Sequence, residues 1–266
     1  MSSPFEVIPL GVGDTFSATH VTASLLLRCE GFTLAIDAPD RYRGVLARAS
    51  TADDTLALST IDDVLITHVH GDHVNGLEGI AFFKRFAQQR RVRLYTLPEV
   101  VGPLWDRRLF APMSELWDGK KKQTMRFSDY FDMAEPPRRG VDRPEHGGVI
   151  DPNVPREIGP FTVRARRTIH HVPTSALLIE GGGVTLGYSA DTAFDPDLIE
   201  WLSSADLIIH ETNHGPAHTP YEKLEALPAE LRQKMRLIHY PDGFDVDDSA
   251  IVALREGQRI RVGETP

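Results

Sequence analysis

The chain has 266 residues, of which 41% are hydrophobic and 25% charged, a balance that supports a large buried core and excludes a disordered or fibrous protein. Its formal charge of -9 argues against a surface that grips duplex nucleic acid by counterion release. A single cysteine, Cys29, rules out an intramolecular disulfide, and neither a basic-then-apolar leader after Met1-Ser2-Ser3-Pro4-Phe5-Glu6 nor a membrane-length apolar run is visible, so the expectation is a cytoplasmic protein with no membrane partner.

In chain order, Phe5 to Leu10, Gly11 to Thr15, Ala23 to Cys29 and Phe32 to Ile36 alternate with turn residues, the last two across Glu30-Gly31. This pattern predicts an antiparallel meander that opens a sheet. Ile61 to Thr67 is a further apolar, β-branched strand running into a histidine-rich segment. Apolar residues at Leu77, Ile80, Ala81, Phe83 and Phe86 give Gly76 to Gln89 the spacing of an amphipathic helix, and Val92 to Thr96 returns to strand. From about Trp105 to Pro160 the pattern is broken by Lys120-Lys121-Lys122, Pro136-Pro137-Arg138-Arg139-Gly140 and Gly147-Gly148, and this stretch reads as an insertion or lid. Phe161 to Ile169, Ala176 to Glu180, Val184 to Ser189, Leu207 to His210 and Met235 to His239 are strand-like, and Pro196 to Ser203 is a helix candidate. No fixed-period repeat or long linker divides residues 1–266, so a single domain is expected.

The chemistry concentrates in His68-Val69-His70-Gly71-Asp72-His73. Histidines alternating at a strand's end can turn both rings to one face, while Asp72 and His73 reach a neighbouring point through the turn at Gly71. Imidazole nitrogen and carboxylate oxygen are the donors that zinc and other borderline divalent ions take. A solvated histidine-rich loop is the plain alternative, and four potential ligands in six residues after an apolar strand weigh against it.

With Leu34-Ala35-Ile36-Asp37 before it and Gly187-Tyr188-Ser189-Ala190-Asp191-Thr192 after it, this motif resembles that of the metallo-β-lactamase superfamily. The resemblance implies an α/β fold, a four-layer αβ/βα sandwich with metals between the edges of two sheets. It implies that His68, His70 and His170 hold one metal, that Asp72, His73 and His239 hold the other, and that Asp191 bridges both. His171 is the alternative to His170, because adjacent residues of a strand face opposite ways. Asp37 is either a strand-end turn residue or a carboxylate that orients a ligand histidine and the metal loop.

The segment Ala205-Asp206-Leu207-Ile208-Ile209-His210-Glu211-Thr212, with His218 downstream, is similar to tRNase Z and its relatives. There a glutamate and a histidine lie near the leaving group, a role the resemblance gives to Glu211 and His218; His214 reads equally as a surface residue. The tRNA-gripping arm of tRNase Z would stand between His170 and Asp191, where only a hairpin with Gly181-Gly182-Gly183 fits.

The implied activity is hydrolysis by a binuclear metal centre through a metal-bridging hydroxide, with zinc as the first expectation and manganese or iron as alternatives. Asp72 would position the nucleophile, His218 would assist the leaving group, and the substrate would be a small phosphodiester, cyclic ones included. Competing readings are hydrolysis of a carboxylic ester, thioester, lactone or lactam, tRNA 3′ processing, and a non-catalytic metal sensor. Trp105, Trp117, Phe127, Tyr130 and Phe131 are candidates to line a pocket or bury a homodimer contact, and Lys120 to Lys122 to meet phosphate or simply to form a solvated loop.

Overall fold

The computed structural model describes residues 4–133 and 147–264. Met1-Ser2-Ser3 and the Pro136 to Gly140 segment therefore lie outside the described residues. The strands in chain order are β1 (Glu6–Gly11), β2 (Ser24–Cys29), β3 (Phe32–Ile36), β4 (Asp63–Leu65), β5 (Val92–Thr96), β6 (Glu115–Trp117), β7 (Lys122–Thr124), β8 (Phe131–Asp132), β9 (Gly148–Val149), β10 (Arg156–Ile158), β11 (Phe161–Arg167), β12 (Ser175–Gly181), β13 (Val184–Tyr188), β14 (Leu207–Glu211), β15 (Met235–Ile238) and β16 (Ile260–Arg261). The helices are α1 (Tyr42–Ala49), α2 (Gly71–Val74), α3 (Leu77–Gln88), α4 (Pro98–Leu104), α5 (Phe110–Met113), α6 (Pro196–Leu202), α7 (Tyr221–Glu225) and α8 (Ala229–Lys234).

An eight-stranded sheet runs in the order β16-β1-β2-β3-β4-β5-β8, with β9 also paired to β5, and a six-stranded sheet runs β10-β11-β12-β13-β14-β15. The expected meander is present: β1, β2 and β3 pair antiparallel. Strand β2 is buried almost throughout, as a near-continuous apolar run requires when both faces of a sheet are covered. In β11, by contrast, Phe161, Val163 and Ala165 turn inward while Thr162, Arg164 and Arg166 do not, the period of two expected of a strand with one wet face. The inner faces meet at Phe161, whose ring lies 5.0 Å from that of Phe5 and 6.1 Å from that of Phe32.

Each sheet ends in a parallel run, which in the first sheet continues from β5 to β8 and β9. Strands β3, β4 and β5 run parallel, as do β13, β14 and β15. Parallel strands bring all their C-terminal ends to one edge, where open α/β sheets carry their ligands. The two edges are joined directly, since the Ser175 amide donates to the Thr67 carbonyl at 3.2 Å and the Tyr240 amide to that of Val12 at 3.2 Å.

Several expectations change. Gly11 to Thr15 is not a continuing strand; after β1 only Gly13 makes isolated bridges, to Thr22 and Tyr240. Ile61 to Thr67 shortens to Asp63–Leu65, because the Thr67 amide is taken by the Asp37 carboxylate at 2.8 Å instead of a ladder partner. The described part of 105–160 is largely built into the body. Tyr130 and Phe131 are fully buried, Trp105, Phe127 and Tyr130 pack ring to ring, and β8 and β9 extend the first sheet. Of the five aromatics only Trp117, 67% exposed, stands out in solvent. Lys122 pairs with Glu115 across the β6–β7 hairpin, and Lys120 and Lys121 are exposed on its turn. Among the described residues no helix is long and apolar enough to cross a membrane.

Candidate metal centre

The strand ends around the centre turn sharply. Asp37 after β3, Ala190 after β13 and His239 after β15 have φ of 61°, 48° and 59°, a left-handed backbone that side-chain-bearing residues adopt only where the surroundings impose it. Each turn swings a side chain off its strand: Asp37 and His239 themselves, and Asp191 next to Ala190. His68 and His70 come from the loop after β4, with Asp72 and His73 in the first turn of α2.

These residues converge. Ligand atoms of His68, His70, His170 and Asp191 lie within 4.8 Å of one another, as do those of Asp72, His73 and His239, and those of Asp191, His218 and His239. Asp191 sits between the groups, its Oδ2 3.7 Å from His68 Nε2, 3.7 Å from His170 Nε2 and 3.5 Å from His239 Nε2, and its Oδ1 3.5 Å from His73 Nε2. Asp72 Oδ2 is 3.2 Å from His73 Nε2 and 3.5 Å from His239 Nε2.

Such separations are long or misaligned for hydrogen bonds. They match ligand atoms about 2.0–2.2 Å from a shared tetrahedral ion, which stand roughly 3.3–3.6 Å apart. The buried Nε2 atoms of His68, His73 and His239 indeed have no hydrogen-bond partner, a costly state for a buried polar atom unless a cation takes the lone pair.

The opposite ring nitrogens explain which atom is free. His73 Nδ1 is 2.7 Å from Asp37 Oδ2, and His170 Nδ1 is 3.0 Å from the Ala217 carbonyl. Thr67 Oγ1 donates its one proton to Asp37 at 2.8 Å, so at 3.0 Å from His68 Nδ1 it must accept from that ring. In all three rings the proton is drawn to Nδ1 and Nε2 is left as a donor atom for a cation. The donor set thus fits divalent metal.

Electrostatics agree. Burial opposes ionisation of Asp191 and Asp72, yet His239 and His73 hold Asp191, and His73 and His239 hold Asp72, well below the usual carboxylate range. Both carboxylates are therefore charged and competent ligands. Burial, reinforced by His73, depresses His68, and burial takes His170 down to about 4, so these rings stay neutral with their lone pairs available. His73, lifted by Asp191, Asp72 and Asp37 despite its burial, and His239, lifted by Asp191 and Asp72, hold a second proton that a bound cation displaces.

Every residue expected at the centre is brought together there, and of the two adjacent histidines it is His170 whose ring lies among them. His171 is exposed and belongs to none of the three groups. The strand argument for choosing between them does not apply, since β11 ends at Arg167 and both histidines lie in a bend; the Ala217 carbonyl holds the His170 ring in place. Asp37 takes the orienting role, holding His73 and the Thr67 amide together. Glu211 is buried, accepts from the Thr192 amide at 2.7 Å and lies 3.0 Å from His218 Nδ1, while His214 is exposed on the loop. His210, on the other face of β14, is buried away from the centre with Nδ1 against the Glu211 carbonyl at 2.7 Å. Three contributors were not anticipated. Thr67 was legible as the residue before His68, whereas Asn213, linking Asp14 at 3.0 Å to the neighbourhood of His239 Nδ1 at 3.4 Å, and the Ala217 carbonyl left no local signal.

Comparison with known proteins agrees with this architecture. A structure of YhfI from Bacillus subtilis, a metallo-β-lactamase fold protein, superposes with a TM-score of 0.70 at 19% identity, covering 97% of this chain and 99% of that one. The short form of human tRNase Z gives 0.66 at 20% identity, over 97% and 99% of the two chains. At these identities the likeness speaks for the fold, the metallo-β-lactamase αβ/βα sandwich. A protein of Paenibacillus sp. (strain J14) named Anti-Pycsar protein Apyc1 is 31% identical over 245 residues, 89% of each chain. The family model of the same description matches residues 5–258. The chain is a metal-dependent hydrolase, and it belongs to the Anti-Pycsar protein Apyc1 family.

Proposed function

We propose that the chain opens a small cyclic phosphodiester, of the cyclic-nucleotide kind, by hydrolysis at a pair of divalent ions. The observation that carries this reading is the position of the Asp191 carboxylate, within 3.7 Å of His68 and His170 on one side and within 3.5 Å of His73 and His239 on the other. On it rests the assignment of His68, His70 and His170 to one ion, of Asp72, His73 and His239 to the second, and of Asp191 to both. Zinc suits this mixture of imidazole and carboxylate, and manganese or iron can use the same donors. Ions so held supply a nucleophile from water near neutral pH and stabilise negative charge on a phosphoryl oxygen.

The protein's own groups set the direction of attack and departure. Asp72, kept ionised by His73 and His239, is suited to orienting the attacking water more than to retaining its proton. Glu211 Oε1 accepts the Thr192 amide at 2.7 Å and lies 3.0 Å from His218 Nδ1, so it is placed to accept a hydrogen bond from that ring nitrogen and fix the ring's orientation. The doubly protonated ring carries at Nε2 the hydrogen that the departing alkoxide oxygen receives, which makes His218 the leaving-group acid and Glu211 the residue that orients it.

The scale of the substrate is supported by what separates His170 from Asp191. Only β12 and β13, joined through Gly181–Gly183, fill that interval, which leaves no arm for a folded RNA. Degradation of cyclic nucleotides goes with the anti-Pycsar name of the relatives, and opening such a ring is phosphodiester hydrolysis.

The test is an assay of the metal-loaded protein on bis-p-nitrophenyl phosphate, on 3′,5′-cyclic nucleotides with purine and pyrimidine bases, and on p-nitrophenyl acetate and a lactone. The expected outcome is ring opening to a nucleoside monophosphate, abolished by chelator and reduced about a thousandfold or more in Asp72→Ala. A clear preference for the carbon esters would overturn the reading.

A further inference from the structure

Between α4 and α5 the chain makes a π-helical turn, Trp105–Leu109, closed by the Phe110 amide donating to the Trp105 carbonyl. Pro103 and Pro112 stand on either side of it and each lacks the N–H that an α-helical ladder would use. Turns of this kind are rare and occur often at functional sites. This one carries Arg108.

Arg108 reaches the metal loop. Its Nε donates to the Val69 carbonyl at 2.8 Å, between His68 and His70, and its terminal nitrogen lies where a Cβ on Gly71 would come within 3.0 Å of it. Gly71 has no positive φ that would demand glycine; its missing side chain leaves the notch in which the guanidinium lies, between His70 and Asp72. Many arginines of this chain, among them Arg28, Arg93, Arg167 and Arg259, are paired with carboxylates. Arg108 is exposed, its Nε is taken by a backbone carbonyl, and among the described residues no carboxylate pairs with it.

An unpaired guanidinium on the rim of a carboxylate-rich centre, in a chain of net charge -9, has a chemical purpose. With Nε engaged, its two terminal nitrogens present the parallel N–H fork that matches two oxygens of a phosphate. We propose that Arg108 binds the anionic non-bridging oxygens of the substrate and holds the phosphodiester against the metal loop. The inference rests on the phosphodiesterase reading for its substrate, but the anion site itself can be tested without turnover.

Three proteins are compared: wild type, Arg108→Lys, which keeps the charge and loses the Nε bond to Val69, and Arg108→Gln, which loses the charge. With bis-p-nitrophenyl phosphate, Arg108→Gln is expected to raise KM about tenfold or more, the scale of a lost charge-assisted hydrogen bond. Its kcat and metal content should hold near the wild-type values, and Arg108→Lys, which keeps the charge but not the fork, should recover only part of the loss in KM. Calorimetric titration of the metal-loaded proteins with inorganic phosphate should show affinity falling about tenfold in Arg108→Gln. Equal fall of both variants in kcat and metal content would assign Arg108 to holding the loop and overturn the proposal. If the wild type cleaves no phosphodiester, the functional reading fails, and the phosphate titration still decides: weaker binding in Arg108→Gln upholds the anion site, and unchanged binding rejects it.

Discussion

Asp37 shows how much of this centre is arranged by a residue that touches no ion. Its buried carboxylate takes the Thr67 amide, the Thr67 hydroxyl and the His73 ring at 2.7 to 2.8 Å, so one side chain fixes the start of the metal loop and the tautomer of one ligand. Burial pushes its pKa up while His73 and Thr67 pull it back, and the bond to His73 survives only while the carboxylate accepts. Replacing it with alanine leaves the Thr67 amide and His73 Nδ1 unsatisfied in the interior. Asp37→Ala is therefore expected to lower metal affinity about 10- to 100-fold, the usual cost of losing a partner that orients a ligand. Chelator competition on the purified variant measures this, and unchanged affinity would show that the loop holds its shape unaided.

At the scale of elements, the centre depends on the close approach of two chain segments. The Gly76 amide, just before α3, donates to the Ala38 carbonyl at 2.9 Å, and a Cβ at Gly76 would stand 2.0 Å from the Pro39 carbonyl oxygen. Gly76, three residues past His73, is thus pressed against Ala38 and Pro39, which follow Asp37, and only glycine fits there. Gly79, one turn on in α3, would meet nothing within 4 Å. Opposite outcomes are expected: Gly76→Ala destabilises by about 2 kcal/mol or more through backbone displacement, whereas Gly79→Ala stabilises by about 0.5–1 kcal/mol through helix propensity. Urea unfolding of the two variants checks both signs, and a stable Gly76→Ala would mean the two segments can part without cost.

For the whole molecule, acid is the condition that buried, neutral His210 does not tolerate. His210 is enclosed beneath β14, and burial takes its pKa from 6.5 down to about 4. Because the folded value is the lower one, the unfolded chain binds the proton first. The neutral ring's stability is fully present above about pH 6.5 and is lost as pH falls toward 4. At pH 5 the loss from this residue is about 2 kcal/mol. Urea midpoints at pH 7 and pH 5 should therefore fall further in the wild type than in His210→Gln, and identical pH dependence would remove His210 from the account.

What the sequence determined by itself was local and chemical. The apolar runs of β2, β3 and β5, the period of α3 and the His68 to His73 cluster are readable because side-chain period and ligand identity are properties of neighbouring residues. The matching segments at Asp37 and Asp191 extended that reading to the fold. What only the tertiary structure decided depends on chain segments distant in sequence. The His170 ring is held at the centre by a carbonyl 47 residues away, and β4 stops early because Asp37 captures an amide 30 residues on. Asn213 and Arg108 reach the centre from elements with no motif of their own. A carbonyl or guanidinium acquires its role from what the fold sets beside it, and no spacing in the sequence records that.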